Sequence, residues 1–228
     1  IHIVLLAAGK STRFKAKENK LLSKLNDKTI IEHSIEQLTK IGFKKITLVI
    51  SNNSILRDIK EKDIELIKGG KTRTLSVKNA LTKSKITAKY VFIHDAARVL
   101  ASDKILKKLV KETYKDKYDC IIPFSKCADT VIKNHANIKR EDLKLIKTPQ
   151  VFLKKKIVQL HVINKNYQLT DDSILMRNNP KEFKIKYLLD NSFNFKVTYK
   201  EDLENLSLNL NQKQRVGLGY DIHKIQKI

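Results

Sequence analysis

The chain opens on an apolar run, residues 1–6, that ends in Ala7-Ala8-Gly9 and gives way to a polar stretch carrying Arg13 and Lys20. A buried parallel strand that runs into a backbone loop beside a phosphate has this pattern. Further apolar runs stand at 45–50, 64–67, 90–95 and 119–123, each short enough for a strand. Between them the period lengthens. Residues 29–38 carry apolar positions at helical spacing, and Gly42 stands where such a helix would stop. The spacing also predicts a short polar helix over 54–62, a helix beginning at 74–81, and a helix over 103–114 capped by Ser102. Strands alternating with helices in this way predict an α/β fold with a mostly parallel sheet flanked by helices. Ligands of such sheets sit beyond the carboxyl ends of the strands. Three polar segments fall there: Gly9 to Lys20, Gly70 to Ser76, and Asp95 to Arg98.

The regularity breaks over about 124–152. Residues 130–133 and 144–147 read as strands of a hairpin-like excursion, and Thr148-Pro149-Gln150 marks the return. A helix is expected at 153–164, a further helix starting at Thr170 to Ser173, strands at 184–188 and 195–199, and a last helix at 201–210. No internal repeat or low-complexity linker appears.

Composition narrows the class. The 228 residues are 41% hydrophobic, enough for a core and too many for a disordered chain. No apolar stretch approaches the roughly 20 residues of a membrane span, so no membrane partner is expected. The start lacks a basic leader and cleavage site, and reads directly as a strand. Cys120 and Cys127 lack ligand spacing and make no disulfide scaffold, which points to a reducing cytoplasm. The net charge of +23 suggests a polyanionic partner, either nucleic acid or a phosphorylated metabolite. Most lysines, however, are interleaved with apolar residues along solvated faces. Aromatic residues are 7% with no Trp, which argues against a base-stacking platform. A nucleic-acid module would also leave three small-residue loops at strand ends unexplained.

Gly9-Lys10-Ser11-Thr12 ends like a Walker loop, but the glycine required five positions earlier is Val4. A dinucleotide GxGxxG is absent as well. What remains is a non-Walker loop whose backbone N–H groups can wrap a triphosphate, or an ordinary strand–helix turn. Arg13 and Lys20 together can neutralise charge on a phosphorus, as phosphoryl and nucleotidyl transfer require. Asp95 ends a hydrophobic strand ahead of two alanines, where a carboxylate can hold Mg²⁺ or a ribose hydroxyl, or cap a helix. Asp171 and Asp172 read as helix caps, and His2, His33, His94, His135 and His161 as structural or surface residues.

Taken together, LLAAGKSTRF with Asn19-Lys20, GGKTRTLSV at 69–77, HDAAR at 94–98, Asp129-Thr130-Val131-Ile132-Lys133, REDLKLIKTPQ at 140–150, TDDS at 170–173 and NFKVTYKEDL at 194–203 resemble the 2-C-methyl-D-erythritol 4-phosphate cytidylyltransferases. The resemblance covers about residues 1–210 and implies a Rossmann-like nucleotidyltransferase sheet. It implies transfer of CMP from CTP to methylerythritol phosphate with Mg²⁺. Ala7, Ala8, Gly9, Gly70, Ser76, Asp95 and Ala96 would bind the nucleotide, Asp95 also serving Mg²⁺. Arg13 and Lys20 would stabilise the crowded α-phosphate. Arg98, Thr130, Arg140, Thr170 and Lys196 would hold the methylerythritol phosphate. The excursion at about 124–152 would be a β-arm for homodimerisation, with Arg140 acting across the dimer.

Four departures from the family pattern stand out: Ser11 for a glycine, Asn19 for a proline, Val99 for a proline, and Lys71 for an acidic or small residue. The general sugar-nucleotide transferase class remains an alternative for the substrate. Residues 211–228 read as a linker and a truncated start, RVGLGYDIH at 215–223 resembling the opening strand of a 2-C-methyl-D-erythritol 2,4-cyclodiphosphate synthase. There Asp221 and His223 would bind a divalent metal such as Zn²⁺ once the downstream domain is present, so the chain reads as the front half of a two-enzyme fusion.

Overall fold

The computed structural model describes residues 1–9, 11–14, 19–52, 64–99, 101–194 and 196–211, the last four as backbone only. The N-terminal apolar run forms β1 (His2–Leu6). A small ladder of β2 (Lys24–Leu25) and β3 (Lys28–Thr29) then leads into α1 (Ile30–Ile41). This helix starts where its sequence says it should. Thr29 accepts from the Glu32 backbone N–H while Glu32 reaches back to the Thr29 N–H, a reciprocal capping box. It ends at Gly42, whose φ of 100° is costly for any residue with a Cβ.

β4 (Ile46–Ile50) and β5 (Ile64–Lys68) follow, then α2 (Arg73–Lys83), β6 (Tyr90–Asp95) and α3 (Asp103–Tyr114). β7 (Cys120–Lys126) leads to a hairpin of β8 (Val131–Lys133) and β9 (Ala136–Ile138). The chain returns through β10 (Lys144–Ile146) and β11 (Gln150–Leu153). The last described elements are α4 (Lys154–Ile163), the short α5 (Ile174–Arg177), β12 (Ile185–Leu189) and α6 (Glu201–Asn211).

The main sheet runs β10-β7-β11-β6-β1-β4-β5. β6, β1, β4 and β5 are parallel, whereas β11 is antiparallel to both β6 and β7. β12 runs parallel to β7 over the residues that β11 also contacts, so it lies on the other edge of β7. Alternate residues of β1 serve opposite faces. Ile3 and Leu5 join the core with Ile35 and Leu38 of α1 and Leu106 of α3, while Val4 joins Val77 and Leu81 of α2 and Ile157 of α4. A strand covered on both faces must be apolar at every position, which is why β1, β4 and β6 read as continuous runs.

Three expectations are corrected. Residues 130–133 and 144–147 do not pair with each other. β8 turns back on β9 through Asn134 and His135, both at positive φ, and β10 pairs with the end of β7. Residues 196–199 form no strand; Val197 N–H instead donates to the Ala97 carbonyl at 2.9 Å, docking this segment beside the end of β6. Asp172 is no helix cap but is fully buried. The helix expected at 54–62, and Asp221 and His223 with the rest of 212–228, lie outside the described residues. No helix among the described residues is long and apolar enough to cross a membrane.

Candidate active site

The carboxyl ends of β1 and β6 and the loop after β5 open into one cavity of about 280 Å³. Among the described residues its walls come from Ala8, Gly9, Ser11 to Arg13 and Lys20, from Gly70 to Arg73 and Ser76, and from Asp95 and Ala97, together with Lys196 and Thr198 from the docked segment ahead of α6. Arg13, Lys20, Arg73, Lys71 and Lys196 face it, and Asp95 is the sole carboxylate among the described lining residues. A cavity of this size with that excess of cations suits a compact polyanion.

The β1 loop is held open from below. A Cβ built on Gly9 would meet nothing within 4 Å, so the space above it is open to a ligand. Ser11 takes a φ of 54°, a conformation in which a glycine would be unstrained. Its hydroxyl donates to the Asn19 side chain at 3.2 Å and accepts from the Lys20 backbone N–H at 3.3 Å. Asn19 in turn accepts from the Leu21 N–H at 3.1 Å. Two of the four departures therefore bond to each other and fix the backbone that presents Lys20. Leu21, buried in the core, anchors the same turn.

Lys20 Nζ donates to the Val197 carbonyl at 2.6 Å. Burial of the ammonium, reinforced by the nearby Lys196, lowers its pKa to about 8. On the opposite wall, Ser76 packs its hydroxyl against the glycine turn. It accepts from Gly70 N–H at 3.0 Å and donates to the Thr72 carbonyl at 2.9 Å. A Cβ on Gly70 would come within 2.4 Å of Leu75 Cβ, so the turn closes onto α2 only with glycine there. Thr72 caps α2 by accepting from Leu75 N–H.

Asp95 is the electrostatic centre. Lys196 Nζ lies 2.8 Å from its Oδ2, Arg73 Nε 3.5 Å from Oδ1, and Arg98 Nε 3.9 Å from Oδ2. Burial alone would raise its pKa, but Arg73, Lys196 and Arg98 outweigh this and hold the carboxyl far below its ordinary value. Thr148 fixes the backbone beneath it. Its hydroxyl oxygen accepts from Asp95 N–H at 3.1 Å and lies 2.9 Å from His94 Nδ1. The described residues contain no cluster of three or more His, Cys, Asp or Glu that could hold a metal unaided. A hard cation such as Mg²⁺ commonly binds through one or two carboxylates plus substrate phosphates. Asp95, the sole carboxylate among the described lining residues, already faces Lys196, Arg98 and Arg73, so the residues present do not by themselves fit a metal ion.

The expected residues divide by position. Ala8, Gly9, Arg13, Lys20, Gly70, Ser76, Asp95 and Lys196 share the cavity. Ala7 and Ala96 are buried beneath it, where Ala7 N–H donates to Val49 and Ala96 N–H to Leu6. Arg98 stands behind Asp95, its Nη1 donating to the Asn194 carbonyl at 2.9 Å. Thr130, Arg140 and Thr170 are exposed and lie away from this cavity; Arg140 Nη1 donates to the Ala128 carbonyl. Thr148, Arg73, Asp172 and His161 were not singled out as site residues from the sequence. The cue for Arg73 was an arginine in the first turn of a helix following Gly69-Gly70, a position where the helix dipole disfavours a cation unless something anionic faces it.

The family model for 2-C-methyl-D-erythritol 4-phosphate cytidylyltransferase (IspD) matches residues 1–212. The bifunctional enzyme IspD/IspF of Pelagibacter ubique (strain HTCC1062) is 37% identical over 230 residues, covering 97% of this chain and 59% of that protein. A solved structure of the bifunctional IspDF from Campylobacter jejuni is similar at 34% identity and a TM-score of 0.78, covering 89% of this chain and 53% of that one. The crystal structure of 4-diphosphocytidyl-2C-methyl-D-erythritol synthase from Anaerococcus prevotii DSM 20548 gives a TM-score of 0.79 at 25% identity, covering 92% of this chain and 98% of that one. The chain thus spans under two thirds of the length of the bifunctional relatives it matches.

Proposed function

The chain belongs to the 2-C-methyl-D-erythritol 4-phosphate cytidylyltransferase family, and from this premise we propose that it transfers CMP from CTP to methylerythritol 4-phosphate and releases pyrophosphate. The observation that carries the reading is the single cavity in which Arg13, Lys20 and Lys196 face one carboxylate, Asp95, across a glycine-floored loop. In the reaction a phosphate oxygen of methylerythritol phosphate attacks the α-phosphorus of CTP. A new P–O–P bond forms as the bond to the β-phosphate oxygen breaks, and pyrophosphate takes that electron pair. No group of the protein need form a covalent bond, so positioning and charge neutralisation carry the rate.

In this reading Ala8 and Gly9 lie along the nucleotide with Ala7 supporting them from beneath, and Gly70 with Ser76 forms the base slot. Asp95 sits at the ribose, with Ala96 buried behind it. Arg13 and Lys20 neutralise charge at the α-phosphate, and Lys196 with Arg98 receives the acceptor phosphate. Mg²⁺ brought in on the triphosphate oxygens would supply charge neutralisation of the pyrophosphate. Thr130, Arg140 and Thr170 would complete the acceptor site in a homodimer, reached by the exposed β8–β9 arm of a partner copy. Residues 1–210 would form the transferase domain and 211–228 the linker and opening of a fused cyclodiphosphate synthase. The bifunctional relatives support that last assignment, and Asp221 with His223 would belong to the second enzyme.

The decisive experiment is release of pyrophosphate from CTP in the presence of Mg²⁺. Release that requires methylerythritol phosphate, and that falls sharply when ATP replaces CTP, is the expected result. Absence of acceptor-dependent release from folded protein would refute the assignment.

A further inference from the structure

The loop that follows β12 carries a buried carboxylate for which the transfer reaction has no direct use. Asp190 is 2% exposed, and its N–H donates to the Phe124 carbonyl of β7 at 2.8 Å. Its Oδ1 accepts from the Ser192 N–H at 3.0 Å and from the Ser192 hydroxyl, and its Oδ2 accepts from Asn194 Nδ2 at 3.0 Å. Lys147 closes the loop. Its Nζ donates to the carbonyls of Asp190 and Ser192, at 3.3 and 3.2 Å, and stands 3.8 Å from Asp190 Oδ2. A buried carboxylate is costly unless it is paired and hydrogen-bonded. Here its bonds all go into fixing the shape of residues 190–194.

That shape is felt at the site. Asn194 Nδ2 also donates to the Thr148 carbonyl at 3.0 Å, and the Asn194 carbonyl accepts from Arg98 Nη1 at 2.9 Å. Thr148 in turn accepts from the Asp95 N–H. The loop therefore grips the wall around Asp95 at two points. A carbonyl is a neutral partner, so it fixes the planar guanidinium without cancelling its charge. Arg98 Nε is buried, has no hydrogen-bond partner among the described residues, and lies 3.9 Å from Asp95 Oδ2. Such a donor calls for a partner, and an anionic oxygen of a substrate is one. We infer that Asp190 is a positioning residue for the acceptor: it locks the 190–194 loop so that the Asn194 carbonyl aims Arg98 at the phosphate of the attacking substrate.

This rests on the cytidylyltransferase reading, in which Arg98 meets the acceptor phosphate, and the test separates the two. Initial rates of pyrophosphate release from the full chain are measured while CTP and methylerythritol phosphate are varied in turn. Asp190→Asn replaces one acceptor oxygen by a donor among groups that already donate to it, and so loosens the loop. It should raise the KM for methylerythritol phosphate about tenfold, as for one lost hydrogen bond to a charged group, and leave the KM for CTP within about twofold. Arg98→Gln should raise the acceptor KM at least as much. If Asp190 acts through Arg98, the double variant Arg98→Gln/Asp190→Asn is no worse than Arg98→Gln, because the two losses are one. A purely structural role would spread the loss over both substrates or add it to that of Arg98→Gln, and either pattern overturns the inference alone. So does an unchanged acceptor KM in folded Asp190→Asn or Arg98→Gln. If Asp190→Asn does not fold, Asn194→Ala carries the same readouts, since it unties the loop from Asp190 and Thr148 but keeps the Lys147 clasp. A wild-type chain without acceptor-dependent release overturns the cytidylyltransferase reading, and the inference with it.

Discussion

Lys20 offers the sharpest test of the site because its charge is set by its surroundings. Burial and the neighbouring Lys196 lower its pKa from 10.5 to about 8, while Val197 holds the ammonium through a 2.6 Å hydrogen bond. If the ammonium is needed at the α-phosphate, kcat/KM must fall with its protonated fraction, since this parameter reports the free enzyme. For a group titrating near 8, that fraction drops about tenfold between pH 7 and pH 9, and the logarithmic slope approaches −1 above it. The linkage of Lys20 itself to folding has the opposite sign to this limb. The folded pKa of Lys20 lies below the unfolded value, so the unfolded chain binds more protons between about 8 and 10.5, and this group adds stability as pH rises through that window. The assay is initial-rate pyrophosphate release at low CTP from pH 6.5 to 9.5, beside Lys20→Arg, whose guanidinium stays charged throughout. The arginine variant should be slower yet lose the basic limb. A wild-type profile flat to pH 9.5, or an identical limb in Lys20→Arg, would refute the assignment of the charge to Lys20.

Other outcomes follow from the same geometry. Arg13→Ala should lower kcat by roughly 10²–10³ with a much smaller change in KM for CTP, as expected for charge met mainly in the transition state; an effect confined to KM in steady-state kinetics would contradict it. Burial holds His2 and His94 neutral, with pKa values lowered to about 4. The stability they confer is complete above 6.5 and is lost as pH falls from there toward 4, His94 alone accounting for about 3 kcal/mol; denaturant melts from pH 7 to 4.5 should show the decline, and a flat midpoint would not fit. Asp202 accepts from Thr198 N–H at 2.6 Å and Tyr199 N–H at 2.8 Å, pinning the segment that carries Lys196 and the Val197 carbonyl. Asp202→Ala should cost about 1 kcal/mol in stability and lower kcat by loosening Lys20 and Lys196; unchanged turnover in the folded variant would remove that link.

Elements governed by local chemistry were legible in advance. α1 carries its start signal in Thr29 and Glu32 and its stop in Gly42, and β1, β4 and β6 declare burial on both faces by their unbroken apolar runs. The convergence of three strand-end loops followed from the parallel architecture. The excursion was harder. Residues 136–138, Ala-Asn-Ile, are too few for their alternation to read as a strand, and only pairing with 131–133 makes them one. Residues 196–199 have strand-like composition, yet they dock through backbone and charged contacts to the loop after β6 and to Lys20. The network behind the wall was the least accessible. Asp172 resembles a cap in a short acidic turn, and its partners Arg73 and His161 lie far from it in sequence.

The amino-acid order by itself therefore determined the central strands, the helices with local caps, the edge of the sheet where the chemistry sits, and the loop residues presented there. Period, caps and glycine positions are local properties that each segment expresses alone. Which charges meet was decided only in three dimensions. Asp95 is drawn far below an ordinary carboxylate, and Lys20 below an ordinary lysine, by groups up to 101 residues away for Asp95 and by burial that no segment possesses before it packs. Electrostatic energy depends on distance and local dielectric, and both are properties of the assembled fold.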